Sequence, residues 1–389
     1  MPWKASRPMD VKMEFITRLK RGERMSDLCR EYGIARKTGH KLRDRFDEAG
    51  VAGLLEKSRA PLHIPHRTPP EVARLFIAER KAHPTWGPKK IKDVLEERLG
   101  RSFPSASTIG LVLDKNGLVE RRKRRGRFKP TPTNLRTPSA PNQVWCTDYK
   151  GQFRLGDGNY CYPLTVTDQF SRYILCCEGM AAISDESARD AFEGLFRTYG
   201  VPEAIRSDNG VPFASRGLAG LTRLSAYWLQ LGIELERIQP AHPEQNGAHE
   251  RMQRTLKRET ARPARFNLLQ QQERFDAFLE EFNKERPHEA LGMKRPAQLY
   301  RKSPRAYPKV LPVLSYPTHD DVIRVSEGGL INFPGRRFLY LSAALSGQLI
   351  GIREQDDGRW LVSFANLDLG HVGLDRTFIP ITSTPQEAN

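Results

Sequence analysis

The chain has 389 residues, enough for several domains with ample core, and carries a formal net charge of +17 from 63 basic and 46 acidic residues. The first 140 residues hold 33 basic and 16 acidic side chains, so the whole excess lies there and the remainder is neutral, as expected of a polyanion-binding front end on an uncharged body. No apolar run reaches the ~18 residues of a membrane span, the start MPWKASRPMD lacks a signal-peptide core, and five scattered cysteines without CxxC or His/Cys spacing exclude an evident zinc site and fit a reducing cytoplasm.

In chain order, Val11–Leu19 reads as an amphipathic helix, Ser26 as the N-cap of a helix over Asp27–Tyr32, Gly33 as a turn, and Ala35–Phe46 as a basic helix. Short helix, tight turn and basic helix match a helix-turn-helix, with Arg36, Lys37, Thr38, His40 and Lys41 as groove-facing residue types. A second such unit follows a linker over Ala60–Pro70. Its helices are Pro70–Lys81, Gly87–Leu99 with Pro88 in the first turn, and a recognition helix Ala106–Asn116 capped by Ser105. Residues 121–130, RRKRRGRFKP, and four prolines within 130–141 form a basic extended linker, read as a DNA-tracking arm through Arg121, Arg122, Lys123, Arg124 and Arg125. A nuclear-localisation signal or a plain solvated tether would have the same composition.

From Asn142 the pattern changes. QVWCTDYKGQF, CYPLTVTD and SRYILCCEGM read as three strands, Ser184–Tyr199 as a helix ended by Gly200 and Pro202, and EAIRSDNG as a strand running into a turn. Leu221–Leu231 is helical, Glu234–Ile238 a strand, and Asn246–Arg262 a polar amphipathic helix. Three antiparallel strands followed by alternating helices and strands predict an α/β layer fold of the RNase H type with a mixed sheet. Gln270–Lys284 is a further helix. Beyond Asp320, DVIRV, GLINF, RFLYL, LIGIRE, WLVSF and RTFIP alternate with EGG, PGR and DDG turns, the signature of a small β-barrel or sandwich. The expected domains are two helix-turn-helix units over 1–60 and 61–120, a basic linker over 121–140, an RNase H-like core over 141–262, a helical extension over 263–307 and a small β-barrel over 308–389.

Three acids stand out: Asp148 in the first strand, Asp208 after the fourth, and Glu250 early in the polar helix. Carboxylates at strand ends and on a facing helix converge on one point. Hard cations such as Mg²⁺ favour such oxygen ligands, and two ions about 3.5–4 Å apart stabilise the attacking and leaving oxygens of a phosphoryl displacement. Each acid also has a plainer reading: a strand-end cap, an Asp-Asn-Gly turn, a surface helix glutamate.

The blocks NQVWCTDYKG, TVTDQFSRY, SDNGVPFAS and HPEQNGAHERMQRTLKRE, in that order, resemble the integrase-type catalytic core of bacterial insertion-sequence transposases, relatives of retroviral integrases. The resemblance covers roughly residues 141–300, including RPHEALGMKRPAQLY, and the tandem helix-turn-helix region is also similar to that of some members. It implies a DDE site on Asp148, Asp208 and Glu250 with two Mg²⁺ (or Mn²⁺) ions. It further implies binding of terminal inverted repeats, 3′-end cleavage and strand transfer into target DNA by a homo-oligomer, dimer or higher, located in the cytoplasm on the nucleoid. A catalytically inactive DNA-binding regulator and an RNase H-like nuclease without strand transfer are the competing readings. The spacing departs from many members: 41 residues separate Asp208 from Glu250, whereas Glu244 would leave 35. Motif context favours Glu250, with the extra residues absorbed in SRGLAGLTRLS. Asn246 matches the motif and is placed near DNA. Arg254 and Lys257 share a face with Glu250, suited either to a phosphate or to pairing along the helix. Asp168 recurs in the resembling block but is equally explained by a turn, and His242 and His249 are not taken as metal ligands.

Overall fold

The computed structural model describes residues 8–56, 67–120, 135–149, 151–239, 242–333, 337–375 and 377–381; of 243, 244 and 337 it describes the backbone alone. The chain divides into two compact units, Met1–Thr68 and Pro69–Asn389. The first contains α1 (Pro8–Lys20), α2 (Met25–Glu31), α3 (Arg36–Ala49) and a 3₁₀ turn over Gly50–Leu54. Phe15, Ile16, Leu28, Cys29 and Leu54 form its core. The crossing of α2 and α3 depends on Gly39, where a Cβ would lie 2.6 Å from Cys29 Sγ and 2.7 Å from Met25 Sδ. Ser26 does not cap α2 as expected: the helix starts two residues earlier, at Met25 behind Arg24, whose side chain makes no capping bond.

The second unit opens with α4 (Pro70–Ala82), α5 (Pro88–Leu99) and α6 (Ala106–Lys115), packed around Phe76, Trp86, Ile91, Leu95, Ile109 and Leu113. Ser105 caps α6 by accepting from the Thr108 amide at 3.3 Å, as its sequence position predicts. The linker over Ala60–Pro70 lies largely, and Arg121–Arg125 wholly, outside the described residues.

The core follows as β1 (Val144–Tyr149), β2 (Phe153–Arg154), β3 (Tyr160–Asp168), β4 (Ile174–Met180), α7 (Asp185–Tyr199), β5 (Ala204–Ser207), α8 (Arg223–Gln230), β6 (Glu234–Arg237), α9 (Gly247–Thr260) and α10 (Leu268–Glu280). β3 pairs antiparallel with both β1 and β4, while β1, β5 and β6 run parallel. The expected mixed sheet is therefore present. Alternation along the strands separates two faces. Trp145, Leu164 and Val166 meet Phe192 and Phe196 of α7 and Trp228 of α8. On the other side, Cys161, Ile174 and Cys177 meet Met252 and Leu256 of α9 and Phe275 and Phe278 of α10.

After α11 (Pro296–Leu299) come β7 (Asp321–Arg324), β8 (Leu330–Phe333), β9 (Arg337–Tyr340), β10 (Leu349–Glu354), β11 (Trp360–Phe364), β12 (Leu367–Val372) and β13 (Phe378–Pro380). They form an open sheet ordered β13-β12-β11-β10-β7 and a separate β8-β9 ladder. The expected barrel closure is absent among the described residues, because β8 and β9 pair with each other and with neither sheet edge. These strands also share a core with the α/β body: Ile331, Ile350, Val362, Phe364 and Leu369 pack with Leu221, Ala226 and Leu229 in and beside α8. No helix of the described residues is long and apolar enough to cross a membrane.

Candidate active site and nucleic-acid interface

β1 and β5 bring the two aspartates to the same edge. Their parallel register pairs Cys146 with Arg206, so Asp148 and Asp208 each stand two residues further along neighbouring chains, at the carboxyl ends of the strands. Both are half-buried. The Gly210 amide donates to Asp208 Oδ1 at 3.1 Å, and Arg237, whose guanidinium is held by the Phe213 and Gly220 carbonyls, adds positive charge beside it. Burial holds Arg237 below the ordinary arginine range, an effect that the Asp208 charge partly offsets.

α9 lies across the sheet face that carries Thr165 and Thr167. The Thr165 hydroxyl donates to the Asp148 carbonyl at 3.0 Å and accepts from the Gln253 amide at 3.0 Å. His249, buried to 1% exposure, bridges Thr165 at 2.9 Å and Thr167 at 2.7 Å through its two ring nitrogens. Successive helix residues are rotated by about 100°. With His249, Met252, Gln253, Leu256 and Thr260 turned inward, Glu250 and Lys257 fall on one flank of that stripe and Arg254 further out. Glu250 is half-buried in the first turn, Lys257 is half-buried and Arg254 is exposed. Among the described residues, no ion pair joins Glu250 to Arg254, and no three His, Cys, Asp or Glu side chains form a group that could hold a metal ion. Glu244 belongs to the 3₁₀ turn Pro243–Asn246 that leads into α9. Asn246 is 5% exposed with its Oδ1 lacking a partner among the described residues.

Asp168 closes the β3–β4 turn. Fully buried, it accepts from the Asn142 amide at 2.7 Å and from the Ser171 amide and hydroxyl at 2.7 and 2.6 Å. Burial raises its carboxyl above the usual range, against the pull of those donors. Cys146, two residues before Asp148, is buried, and burial pushes its thiol up to about 12, which disfavours the nucleophilic thiolate.

Arg206 was not anticipated. It is 3% exposed in the centre of β5 and donates to Glu236 at 2.7 and 2.9 Å, to the Arg136 carbonyl at 2.6 Å and to the Gln245 carbonyl at 3.3 Å. It thereby ties the turn preceding α9 to the strand that leads into Asp208. Its only sequence signal is a single charge within an otherwise small, apolar strand.

In the first helical unit Arg36, Lys37, Thr38, His40 and Lys41 are all exposed along α3. The exposed side chains of α6, Ser107, Leu111, Asp114 and Lys115, include one cation. The α4–α6 module meets the core through polar contacts. His83 bonds Glu281 at 2.9 Å, Lys89 pairs with Glu289 at 2.8 Å, Arg295 with Asp93 at 3.3 Å and with Glu97, and Arg258 with Glu120 at 3.1 Å.

Helix-turn-helix modules ahead of a mixed-sheet core with two strand-end aspartates define a DNA-acting class of protein, and comparison with known proteins agrees. Integrase core domain families match residues 138–243 and 231–296, a helix-turn-helix domain family residues 11–61, and a homeodomain-like family residues 38–113. An insertion element IS407 protein of Burkholderia multivorans is 29% identical over 209 residues, 54% of this chain and 73% of that protein. An insertion element IS136 protein of Agrobacterium fabrum is 31% identical over 201 residues, 49% of this chain and 95% of that protein. A solved simian T-cell lymphotropic virus intasome is similar at 16% identity and a TM-score of 0.38, covering 76% of this chain and 97% of that one, a likeness too slight to bear on fold or activity. The chain belongs to the DDE transposases of bacterial insertion sequences, with an integrase-type core.

Proposed function

We propose that this chain binds the terminal inverted repeats of a mobile element, cuts DNA to expose its 3′ ends and joins them to target DNA. The observation that carries the reading is the shared register of Asp148 and Asp208 at the ends of two parallel strands, beside the helix whose first turn bears Glu250. All three side chains are oxygen donors, which suits Mg²⁺ or Mn²⁺; magnesium keeps several waters and needs only one or two carboxylates beside substrate phosphate. Two ions held by Asp148, Asp208 and Glu250 would supply charge at the attacking and leaving oxygens.

The residues of the chain position the rest. Thr165, His249 and Gln253 fix α9 against β1 and β3, and Arg206 fixes the turn before it, so the Glu250 carboxylate is carried on a supported helix. Water attacks the phosphorus at the element's end, the bond to its 3′ oxygen breaks, and the flank keeps a 5′ phosphate. The freed 3′-hydroxyl then attacks a target phosphodiester, forms the new bond and displaces a target 3′-hydroxyl. Both ends must be held together, which calls for a homo-oligomer, dimer or higher, acting on DNA in the bacterial cytoplasm. The exposed α3 residues supply base contacts. Arg254, Lys257 and the basic residues Arg121–Arg125 supply phosphate contacts, and Asn246 at the start of α9 places that helix near DNA.

The test is a strand-transfer assay with purified protein, Mg²⁺ and duplexes carrying the element's flanking repeats. Cleaved and joined products support the proposal. Binding without cleavage would identify an inactive regulator, and cleavage without joining a nuclease.

A further inference from the structure

A cluster of cationic side chains lines a cavity beside α9. A cavity of about 420 Å³ opens between α5, the β3–β4 turn, α9 and the segment after α10. Lys90, Arg172, Arg251 and Arg286 line it, together with His288. The acid on its rim, Glu289, is engaged by Lys89 at 2.8 Å. Arg286, 6% exposed, donates to Thr85 at 3.0 Å and to Glu259 at 3.1 Å, which neutralises one of the four cations. Among the described residues, the Arg172 guanidinium donates only to the neutral side-chain oxygen of Gln169, at 3.0 Å. The Lys90 ammonium and the Arg251 guanidinium form no hydrogen bond or ion pair among the described residues.

The β3–β4 turn presents Arg172 to the cavity: its backbone has φ 64° and its amide bonds the Asp168 carbonyl at 2.9 Å. The Nε2 of His288 is buried without a partner among the described residues. Burial, then Arg286, brings the Lys90 ammonium down to about 8, and burial, then Lys90, Arg286 and Arg172, brings the His288 imidazole down to about 3. Converging guanidinium and ammonium groups match the several oxygens of a phosphate better than a single carboxylate.

We propose that this cavity binds a phosphate group, that of a DNA backbone laid across the junction of the α4–α6 module and the core. The phosphate chemistry stands on the cavity alone; the choice of DNA as its source rests on the proposed function. Lys90 comes from the module while Arg172 and Arg251 come from the core, so a single phosphodiester there clamps the two together.

The experiment uses the full chain. Lys90 is pulse-acylated with acetic anhydride at pH 8 and quantified by mass spectrometry against exposed Lys89, alone, with inorganic phosphate, and with a short random-sequence duplex. In parallel, the salt dependence of duplex binding is measured for wild type and Arg251→Gln, a substitution at an exposed, unpaired side chain. The expected result is selective, several-fold protection of Lys90 by duplex and a logarithmic salt slope shallower by about 1 in R251Q. Protection by inorganic phosphate but not by duplex assigns the site to a free phosphate, supporting the chemistry and overturning the DNA source. Duplex that binds without protecting Lys90, or with an unchanged R251Q slope, overturns the site while leaving the proposed function standing. A wild type that binds no duplex overturns that function instead, and if phosphate also fails to protect, both are overturned.

Discussion

Replacing Arg206 with Met tests whether one buried guanidinium holds the active-site helix in place. The substitution leaves the Glu236 carboxylate, 11% exposed, without its two closest bonds and strands the Gln245 and Arg136 carbonyls. Removing one member of a buried pair costs about 3–5 kcal/mol. Arg136 remains 3.9 Å from Glu236, so the low end, about 3 kcal/mol, is expected. With a urea dependence of about 3 kcal/mol/M for a unit of this size, the unfolding midpoint falls by about 1 M. Tryptophan fluorescence reports it, because Trp145 and Trp228 lie in the core on the opposite face of the same sheet. The turn before α9 loses its tie to β5, and a displacement of about 1 Å at a catalytic group costs on the order of 100-fold in rate. Cleavage should therefore fall about that much at a urea-free temperature where R206M is folded, with duplex affinity nearly unchanged. A midpoint within about 0.2 M of wild type, or full activity in the folded variant, would refute the argument.

Glu250→Gln should keep DNA binding and abolish both cleavage and strand transfer in Mg²⁺, while Glu244→Gln should retain most activity; the reverse pattern reassigns the third carboxylate. Alanine at Arg36, Lys37 and His40 should relax preference for the terminal repeat over random DNA, whereas alanine at Arg121, Arg122 and Lys123 should weaken both about equally, as footprinting with the two duplexes will show. His83 is raised above its ordinary value chiefly by its hydrogen bond to Glu281, opposed by burial, with Glu79 and Glu285 adding to the rise. Its stabilising contribution is therefore complete below the unfolded value of about 6.5 and disappears as pH rises through the higher folded value. The difference in unfolding midpoint between wild type and His83→Gln should be greatest below about pH 6 and close at alkaline pH; a pH-independent difference rules the ion pair out. Truncation at Pro308 exposes Leu221, Ala226 and Leu229, so the shortened protein should lose solubility and unfold at lower urea before any catalytic defect is read.

What the sequence revealed was local. Ser105 capping α6, the three antiparallel strands and the polar helix bearing Glu250 all follow from short-range chemistry, and each lies where that chemistry put it. What it concealed was pairing across distance. A row of short strands with turns fixes their number but not whether the edges meet, so an open sheet with a detached hairpin read as a barrel. β12 was missed because Gly370 and His371 break its alternation. That glycine is needed, since a Cβ there would sit 2.4 Å from the Ile379 carbonyl on the adjoining strand. The insertion assigned to SRGLAGLTRLS meets more than solvent: Leu221 is buried against the C-terminal strands, and of residues 215–225 only 215–217 and Arg223 are exposed. His249 and Gln253 are polar residues on a polar helix, and nothing local distinguishes them from solvated ones until β3 supplies Thr165 and Thr167.

The basic stretch after α6 is tied at both ends. On one side Leu118 packs with the α4–α6 core and its carbonyl receives Arg80 at 3.2 Å. On the other, Arg136 is held by Glu203 at 2.9 Å and Glu234 at 2.6 Å. A chain extends by at most about 3.6 Å per residue, so the covalent path from Leu118 to Arg136 can span no more than about 65 Å, and that length caps how far any ligand held along it can lie from both anchors.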